Sequence, residues 1–269
     1  MLNLKTFCVT NLTSIKLEQL GLVLAGVGNN QFSNSYINCK SGQNIQLKEK
    51  YYSELTFHYW YWKNMFNDLD EKMWIGFCQK RRFWLNPGPR TINNLDELKN
   101  RILREIPKEW INFDAILCEP INVSPAKKMK MVKRGWKNLI KDPTIFFKKN
   151  KQSVKLQFDM HHGYGVLDKA IDVMNSSDRN DFRFFVNSRT YFSPNIMFIS
   201  QKKIMHKWFQ DLFTWLSDCE KIFGFENLKG YDQTRLYAYL SERYLPFWFE
   251  KYAKITFCPW TFIDIESIK

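Results

Sequence analysis

The sequence predicts an α/β protein: one compact domain with a mostly parallel central sheet flanked by helices, and a helical C-terminal part. Short apolar runs bounded by polar turns indicate buried strands. These runs alternate with segments in which apolar residues recur every three or four positions, as on one face of a helix. The 269 residues are enough to bury a full core.

The chain opens with two predicted strands and the turns that follow them. Residues 4–9 (LKTFCV) predict the first strand, which ends at the polar turn Thr10-Asn11. Residues 20–27 (LGLVLAGV) predict a second buried element that a glycine-asparagine turn ends. Ligands of open α/β sheets bind beyond the carboxyl ends of strands, so Thr10 and Asn11 are candidates for nucleotide contact. An ordinary strand-to-helix cap also explains them.

Residues 51–84 form the segment around which the rest of the sequence is organised. Ser53 is the predicted N-cap of a helix that carries one apolar stripe. The stripe consists of Leu55, Tyr59, Trp62 and Phe66. Residues 73–78 (MWIGFC) then predict a short strand that is buried on both faces of the sheet.

A polar, basic stretch follows this strand, at the end where open α/β sheets bind ligands. Its residues are Gln79, Lys80, Arg81 and Arg82. Guanidinium groups bind diphosphate oxygens through paired hydrogen bonds, so this position suits a phosphate-bearing ligand such as a nucleotide sugar. Basic residues just past a strand are also common as plain surface charge.

The later part of the chain continues the alternation of strands and helices. Predicted strands lie at 113–118, at 195–199 and, as one or two segments, within 252–265. Predicted helices lie at 95–105, 166–174, 201–223 and 232–251. The inward face of the helix at 201–223 consists of Trp208, Leu212, Trp215, Leu216 and Cys219. Residues 179–189 are polar and mixed in composition.

Residues 127–155 depart furthest from the average composition of the chain. They contain eleven Lys or Arg and a single acid, Asp142, interleaved with Met, Trp, Ile and Phe. Three interpretations compete. The segment is a solvated basic loop or lid, or an interfacial segment with its lysines on anionic headgroups, or a strip for single-stranded nucleic acid. No helix-turn-helix, zinc-finger or RNP pattern accompanies it.

Charge and cysteine usage narrow the setting of the protein. The net charge of +13 points to an anionic partner: nucleic acid, a phosphate-bearing substrate or anionic lipid. The aromatic content of 17% predicts a bulky core, with stacking platforms for bases or sugars as the alternative. The six cysteines form no C-x-x-C motif and are expected to be reduced thiols. Without a signal peptide or a long apolar run, the chain is expected to be cytoplasmic and could lie against a membrane.

Common catalytic fingerprints do not occur in the sequence. It lacks the P-loop, the G-x-G-x-x-G and the G-x-S-x-G motifs, which argues against P-loop, Rossmann-cofactor and common hydrolase chemistry. The adjacent His161 and His162 invite a metal hypothesis. Neighbouring side chains point in different directions, however, and only Asp159 lies at ligand spacing, so no metal site is expected.

Two ordered motifs carry a resemblance to a known family. SGQNIQLKEKYYSELTFHYWYWKN and IGFCQKRRFW resemble the hallmark of bacterial exopolysaccharide and capsule glycosyltransferases, with the patterns E-L-T-x-x-Y-W-x-W-K-N and G-F-C-H-Y-R-R. The resemblance runs from about Gly42 to Arg243 and includes His162, Asn195 and Ser241-Glu242-Arg243. It covers nearly the whole chain.

This resemblance implies a GT-A-like, Rossmann-like fold and transfer of a sugar from a nucleotide-diphosphate sugar. Among possible donors, a UDP-sugar is the one expected. The expected acceptor is a glycan or a lipid-linked saccharide in the synthesis of a surface polysaccharide. Within one domain, 1–269, it implies a nucleotide-sugar half at 1–120, a basic insertion or lid at 121–158 and an acceptor half at 159–269. Residues 127–155 could contact the inner face of an anionic membrane, and no nucleic-acid partner is expected.

The resemblance also implies roles for individual residues. Donor binding is expected to involve Thr10, Asn11, Asn44, Glu54, Trp62, Lys63, Gln79, Lys80, Arg81 and Arg82. GT-A enzymes usually hold a divalent metal on an Asp-x-Asp motif, whereas the corresponding strand here ends in Gln-Lys-Arg-Arg. The three cations are therefore expected to neutralise the diphosphate directly, and a divalent metal is the less favoured alternative.

On the acceptor side, the resemblance points to His162, Asn195 and Arg243. Glu242 and Asp168 are the candidate catalytic bases, with Glu54 as a third carboxylate. Glu54 could instead anchor its helix, and Glu242 could be the structural partner of Arg243. The sequence departs from the family pattern at Gln79-Lys80, where the family has His-Tyr, at Thr10-Asn11, where many members have His-Lys, and at Val166, where many have Asp. The alternatives are a basic nucleic-acid-binding protein and a non-catalytic glycan-binding relative.

Overall fold

The structure is a computed structural model that describes residues 2–68, 70, 73–89 and 91–268. Its strands are β1 (Leu2–Thr10), β2 (Val23–Gly26), β3 (Tyr36–Asn38), β4 (Trp74–Gln79), β5 (Arg82–Trp84), β6 (Glu105–Ile106), β7 (Ala115–Cys118), β8 (Ile121–Asn122), β9 (Tyr191–Phe192), β10 (Phe198–Gln201), β11 (Ile255–Cys258) and β12 (Trp260–Phe262). Its α-helices are α1 (Ile15–Gln19), α2 (Glu49–Tyr52), α3 (Leu55–Asn64), α4 (Leu95–Arg101), α5 (Lys128–Arg134), α6 (Trp136–Lys141), α7 (Val154–His162), α8 (Val166–Asp172), α9 (Ser176–Ser188), α10 (Lys202–Phe223), α11 (Tyr231–Thr234) and α12 (Leu236–Tyr252).

The chain forms two compact units, each assembled from separate stretches of sequence. Unit 1 consists of Met1–Glu119, Asn195–Gln210 and Phe249–Lys269. Unit 2 consists of Pro120–Pro194 and Asp211–Trp248. The helices α10 and α12 therefore contribute residues to both units. The assignment of a donor half, a basic insertion and an acceptor half stays a prediction.

Unit 1 contains the large sheet. Its main strands follow the order β11-β7-β10-β4-β1-β2-β3. The strand β1 pairs in parallel with both β2 and β4, β2 pairs in parallel with β3, and β11 pairs in parallel with β7. Only β10 runs antiparallel to its two neighbours in this order. The prediction of an α/β fold with a mostly parallel central sheet flanked by helices is therefore confirmed.

The register of β1 and β4 explains their continuous apolar sequences. Phe7 lies opposite Phe77, and Cys8 lies opposite Cys78. Because successive side chains of a strand point to opposite faces, the two Phe rings lie on one face and the two Cys on the other. The Phe face packs against α3, for example with 5.3 Å between the ring centroids of Phe7 and Phe57. The Cys face packs with apolar residues of α1 and α4, so both faces are buried and the strand predicted at 73–78 is confirmed.

The prediction of Ser53 as an N-cap is wrong. The short helix α2 ends immediately before Ser53, which has a φ of 52° and lies between α2 and α3. Its carbonyl oxygen, rather than its hydroxyl, accepts the backbone N–H of Thr56 at 3.1 Å. Such a φ is unfavourable for a residue with a Cβ, so the junction is imposed by the packing of two consecutive helices rather than by capping.

The single apolar stripe predicted for this helix is also incomplete. Tyr59 and Trp62 are only half-buried, whereas residues outside the stripe are buried. These are Thr56, Phe57, His58, Trp60 and Tyr61. The ring of Tyr61 lies 5.3 Å from Phe77 of the sheet and 6.4 Å from Phe209 of α10. The helix is thus covered on two sides, which a one-stripe pattern cannot describe.

Two polar segments form helices that the sequence analysis did not predict. The basic segment contains α5 and α6 instead of an extended loop, and residues 179–189 lie almost entirely within α9. The inward face of α9 needs only a few apolar residues, with Phe182 and Val186 fully buried, so its composition hides its periodicity. His161 and His162 are the last two residues of α7.

His58 lies fully buried among aromatic rings, with its ring centroid 4.4 Å from that of Phe77. Neither ring nitrogen has a hydrogen-bond partner among the described residues. Burial therefore lowers the pKa of His58 from 6.5 to about 3. The folded protein holds this imidazole neutral at a pH where the unfolded chain would protonate it.

We expect acid to destabilise the protein through His58. Because the folded-state pKa lies below the unfolded one, stability is lost as the pH falls from about 6.5 towards about 3. The free energy of unfolding should drop by about 2 kcal/mol between pH 7 and pH 5 from this residue alone. Urea unfolding of His58→Phe should lack that component, whereas His206→Phe, at an exposed histidine, should keep it. An equal drop in wild type and His58→Phe would contradict the assignment.

Candidate functional site

Three adjacent parallel strands of unit 1 end at one edge of the sheet. They are β1, β2 and β4, which end at Thr10, Gly26 and Gln79. Backbone hydrogen bonds continue beyond the strands, from Lys80 N–H to the Val9 carbonyl at 3.1 Å and from Val27 N–H to the Thr10 carbonyl at 2.9 Å. The loops after these strands therefore start side by side, at the edge where open α/β sheets bind ligands.

Side chains join these loops. Lys80 Nζ donates to Asn11 Oδ1 at 2.6 Å. The Asn11 carbonyl accepts from Asn30 Nδ2 at 2.5 Å, and the Asn30 carbonyl accepts from Lys40 Nζ at 3.3 Å. We call this group of residues the carboxyl-edge cluster. It consists of Asn11, Asn30, Lys40, Gln79, Lys80, Arg81 and Arg82.

Gln79 connects this cluster to the start of α3. Its side chain is 8% exposed, its Nε2 donates to Glu54 Oε1, and its Oε1 accepts from Arg82 Nη1 at 2.9 Å. An amide can donate and accept at once, so glutamine links a carboxylate to a guanidinium here. Glu54 makes no side-chain capping bond to α3. It contacts the end of β4 through Gln79, and its part in donor binding or catalysis stays a prediction.

A tight turn presents the three basic side chains. The strand β4 passes directly into β5, with Gln79 paired to Arg82, so Lys80 and Arg81 form the turn itself. The guanidinium carbons of Arg81 and Arg82 lie 5.7 Å and 5.3 Å from the ring centroid of Phe262 in β12. Both guanidinium groups therefore lie within cation–π distance of the same ring. The cluster carries four positive charges, which suits an anion with several oxygen atoms.

The structure brings together most of the predicted donor-binding residues. Asn11, Glu54, Gln79, Lys80, Arg81 and Arg82 belong to one connected group. Asn30 and Lys40 belong to the same group and were missed by the sequence analysis. Asn30 follows the element predicted at 20–27, so the rule that selected Asn11 applies to it as well. Lys40 follows β3, a strand that the sequence did not predict.

The other predicted donor residues are engaged in local structure. The Thr10 hydroxyl donates to the Leu12 carbonyl at 2.7 Å and is buried. Asn44 Nδ2 donates to carbonyl oxygens within its own loop at 3.0 Å and 3.1 Å. The Lys63 ammonium lies 3.4 Å from the ring centroid of Trp62. Their part in donor binding stays a prediction.

The two ends of the first motif that carried the family resemblance contact each other. Trp60 Nε1 donates to the Ser41 carbonyl at 2.7 Å. Asn64 Oδ1 accepts from Gln43 N–H at 3.0 Å, and Asn64 Nδ2 donates to the Gln43 carbonyl at 2.8 Å. Side chains one helical turn apart on α3 therefore bind the loop before α2. This contact explains structurally why tryptophan and asparagine stand at these two positions.

Unit 2 contains the predicted pair Glu242 and Arg243. Arg243 is 2% exposed, and its Nη1 donates to Glu242 Oε2. Its Nη2 donates to Gln157 Oε1 at 2.6 Å, and its guanidinium carbon lies 4.5 Å from the ring centroid of Phe192. A buried guanidinium needs such partners, which gives Arg243 a structural reason for both contacts. A catalytic part for Glu242 stays a prediction.

His162 and Asp168 also lie in unit 2. His162 Nδ1 donates to the Asp232 carbonyl at 2.8 Å, and its ring stacks on Tyr239 at 3.8 Å. Burial, with the nearby positive charge of Arg243, lowers the pKa of His162 to about 3. Asp168 is half exposed and pairs with Lys155 at 3.1 Å. Asn195 belongs to unit 1, where it is buried with a φ of 70°, a conformation that asparagine tolerates.

Open α/β sheets bind ligands beyond the carboxyl ends of their strands, and here that edge carries clustered cations. The chain belongs to the family described as a domain of unknown function, DUF4422, whose model matches residues 12–253. No curated protein matches it. Among solved structures it is similar to the apo structure of the bifunctional glycosyltransferase WbbM, with a TM-score of 0.57 and 17% identity. That similarity covers 97% of this chain and 45% of the other, so the chain spans less than half of that protein, and it concerns the fold.

Two further findings apply to the part of the chain that the structure describes. No helix there is both long and apolar enough to cross a bilayer. No three His, Cys, Asp or Glu side chains there are arranged as a group that could hold a metal ion.

Proposed function

We propose that this protein is a glycosyltransferase that moves a sugar from a nucleotide-diphosphate sugar, first of all a UDP-sugar, to a glycan or lipid-linked saccharide. The single observation that carries the proposal is the carboxyl-edge cluster. It places four cations where a parallel α/β sheet binds its ligand, and these cations suit a diphosphate. The fold shared with a bifunctional glycosyltransferase supports the same function.

The donor set at this edge does not fit a divalent metal. Mg²⁺ and related ions take carboxylate, carbonyl and water oxygens. The turn after β4 instead presents Lys80 and Arg81, and the carboxylate of Glu54 already accepts a hydrogen bond from Gln79. We therefore assign neutralisation of the leaving diphosphate to Lys80, Arg81 and Arg82.

The proposed reaction needs one proton acceptor. The acceptor hydroxyl oxygen bonds to the anomeric carbon of the donor, the bond from that carbon to the diphosphate oxygen breaks, and the diphosphate leaves with the electron pair. A carboxylate takes the hydroxyl proton, and Glu242 is our proposed base. Its contact with Arg243 supplies the alternative, a structural role, and the two are separated experimentally below.

A thermal-shift screen tests the proposal. UDP and UDP-sugars should raise the melting temperature because they bind only the folded protein.

Sugar transfer should be undiminished in EDTA. Activity that is lost in EDTA and restored by manganese would contradict the metal-free clamp. A response to single-stranded DNA alone, with steep salt dependence, would indicate a nucleic-acid-binding protein instead. Glycan binding without transfer would indicate a non-catalytic relative.

We also propose that the basic segment contacts anionic membranes from the cytoplasmic side. Five of its apolar side chains are more than half exposed although lysines surround them: Met129, Val132, Trp136, Ile140 and Phe147. Within α5 and α6, apolar side chains three or four residues apart share one helix face. Apolar residues beside lysines are the composition of interfacial segments.

Vesicle sedimentation checks this contact. The chain should bind vesicles that contain phosphatidylglycerol and not vesicles of phosphatidylcholine alone, and added salt should weaken the binding. Met129→Ser with Phe147→Ser should reduce it. The matched control, Ile15→Ser with Leu47→Ser, removes two similarly exposed apolar residues outside the segment and should have no effect. Equal losses in both pairs would refute the assignment.

A further inference from the structure

Unit 2 contains a pocket of about 490 Å³ that the donor site does not use. Its volume lies within the range of small-molecule sites, roughly 300–1,000 Å³. Three separate stretches of chain line it. They contribute Arg134, Trp136 and Lys137 from the basic segment, residues 159–161, 163 and 164 from the end of α7 and the following turn, and residues 229–233.

Aromatic rings from all three stretches line the pocket. They are Trp136, Tyr164 and Tyr231, and each is exposed, by 51%, 43% and 68% respectively. A core residue would be buried, so packing alone does not account for these rings. A sugar ring has C–H groups on its faces and hydroxyls at its rim, and aromatic faces next to polar groups suit that shape.

The residues that line the pocket carry more positive charge than their ion pairs balance. Arg134 pairs with Asp232 at 3.0 Å. The buried carboxylate of Asp159 pairs with Lys155 at 2.8 Å. Two cations remain in the lining, Lys137 and Lys229, and neither forms an ion pair with a residue that the structure describes.

One of these cations lies next to the rings. The ammonium of Lys137 is 5.6 Å from the ring centroid of Trp136 and 5.8 Å from that of Tyr164. A ligand that stacked on these rings would bring a negative substituent within reach of that ammonium. The pocket thus combines stacking surfaces with an adjacent positive charge.

We propose that this pocket binds an anionic saccharide, with its sugar ring on Trp136, Tyr164 and Tyr231 and its phosphate or carboxylate on Lys137 and Lys229. That this saccharide is the acceptor rests on the proposed function; the binding itself does not. The inference gives the middle of the basic segment a ligand-binding role.

Ligand-observed NMR titrations of the full chain test the pocket. The probes are glucose 1-phosphate, glucuronic acid and the neutral methyl glucoside, so that a phosphate and a carboxylate source are distinguished. Trp136→Ala should weaken the preferred anionic probe about tenfold or more. Lys137→Gln with Lys229→Gln should weaken the anionic probes by about tenfold and leave methyl glucoside unchanged.

Matched controls come from the same segment. Phe147→Ala removes an exposed ring, and Lys141→Gln with Lys148→Gln removes two exposed charges, and none of these residues lines the pocket. The controls should bind all probes as wild type does. If Trp136→Ala melts early, the lysine pair, which carries no core packing, decides the question.

Several results would overturn the inference: no binding of any probe, equal affinity for charged and neutral sugars, or binding that is unaffected in the pocket variants. Displacement of the sugars by decathymidylate, with the same sensitivity to the variants, would reassign the pocket to nucleic acid. UDP binding is measured on the same samples. Sugar binding without UDP binding would remove the proposed function and keep the pocket, and the reverse would remove only the pocket.

Discussion

Lys80→Gln combined with Arg81→Gln should lower kcat/KM for sugar transfer by about 100- to 1,000-fold. Both residues lie in the turn between β4 and β5, and their charges are the ones assigned to the leaving diphosphate. Charge develops on the diphosphate as its bond to the sugar breaks, so the loss should appear mainly in kcat. The measurement is steady-state transfer with the nucleotide sugar that the thermal-shift screen identifies.

A control variant tests whether the loss of any two positive charges of unit 1 would lower kcat/KM in the same way. Lys99→Gln with Lys108→Gln removes two exposed charges of unit 1 that lie outside the carboxyl-edge cluster, and it should retain wild-type kcat/KM. Gln79→Ala is informative in another way. It removes the link between Glu54 and Arg82, so a smaller loss is expected there from misplacement of the guanidinium. Wild-type kinetics in the Lys80/Arg81 variant would remove the clamp from the mechanism.

Arg243→Met should be the most destabilising single change that we describe in unit 2, by about 3 kcal/mol. The guanidinium is 2% exposed and binds Glu242 and Gln157 while it lies against Phe192. Removing it deletes the hydrogen bonds that it donates to a carboxylate and an amide, in surroundings that offer little water. The shift of the urea unfolding curve measures the effect.

Glu242→Gln then separates the two roles of this carboxylate. The amide oxygen of glutamine can still accept from Arg243, so the unfolding curve should move by only about 1 kcal/mol. If Glu242 is the base, kcat should nevertheless fall by about 100- to 10,000-fold, since an amide cannot take the proton. A variant that folds, binds the donor and transfers normally would leave Glu242 as the structural partner of Arg243.

The buried strands and the longest helix were predictable because each reflects burial that is uniform along a short segment. The sequence of β4 is apolar throughout, since Phe77 and Cys78 face two different buried layers. The inward side of α10 has one stripe, and Trp208, Leu212 and Leu216 are buried as predicted. The local sequence of each segment is therefore enough to predict these elements.

The candidate site was predictable only in part, because the local sequence does not show which distant residues come together. Lys80, Arg81 and Arg82 directly follow a strong strand signal, so the rule for carboxyl ends selects them. Asn30 and Lys40 follow short strands, and their nearness to Asn11 depends on strand order. Gln79 looked like a departure from a family pattern, and the structure shows it as the link between Glu54 and Arg82.

By itself, the sequence determined the α/β class, the order of the main strands along the chain, the basic turn after β4 and the resemblance to glycosyltransferases. The tertiary structure decided which loops share the edge of the sheet, how Ser53 joins two helices, and how residues 134–137, 159–164 and 229–233 meet around one pocket. Periodicity records which side of an element is buried, whereas contacts between distant residues arise only when the elements pack.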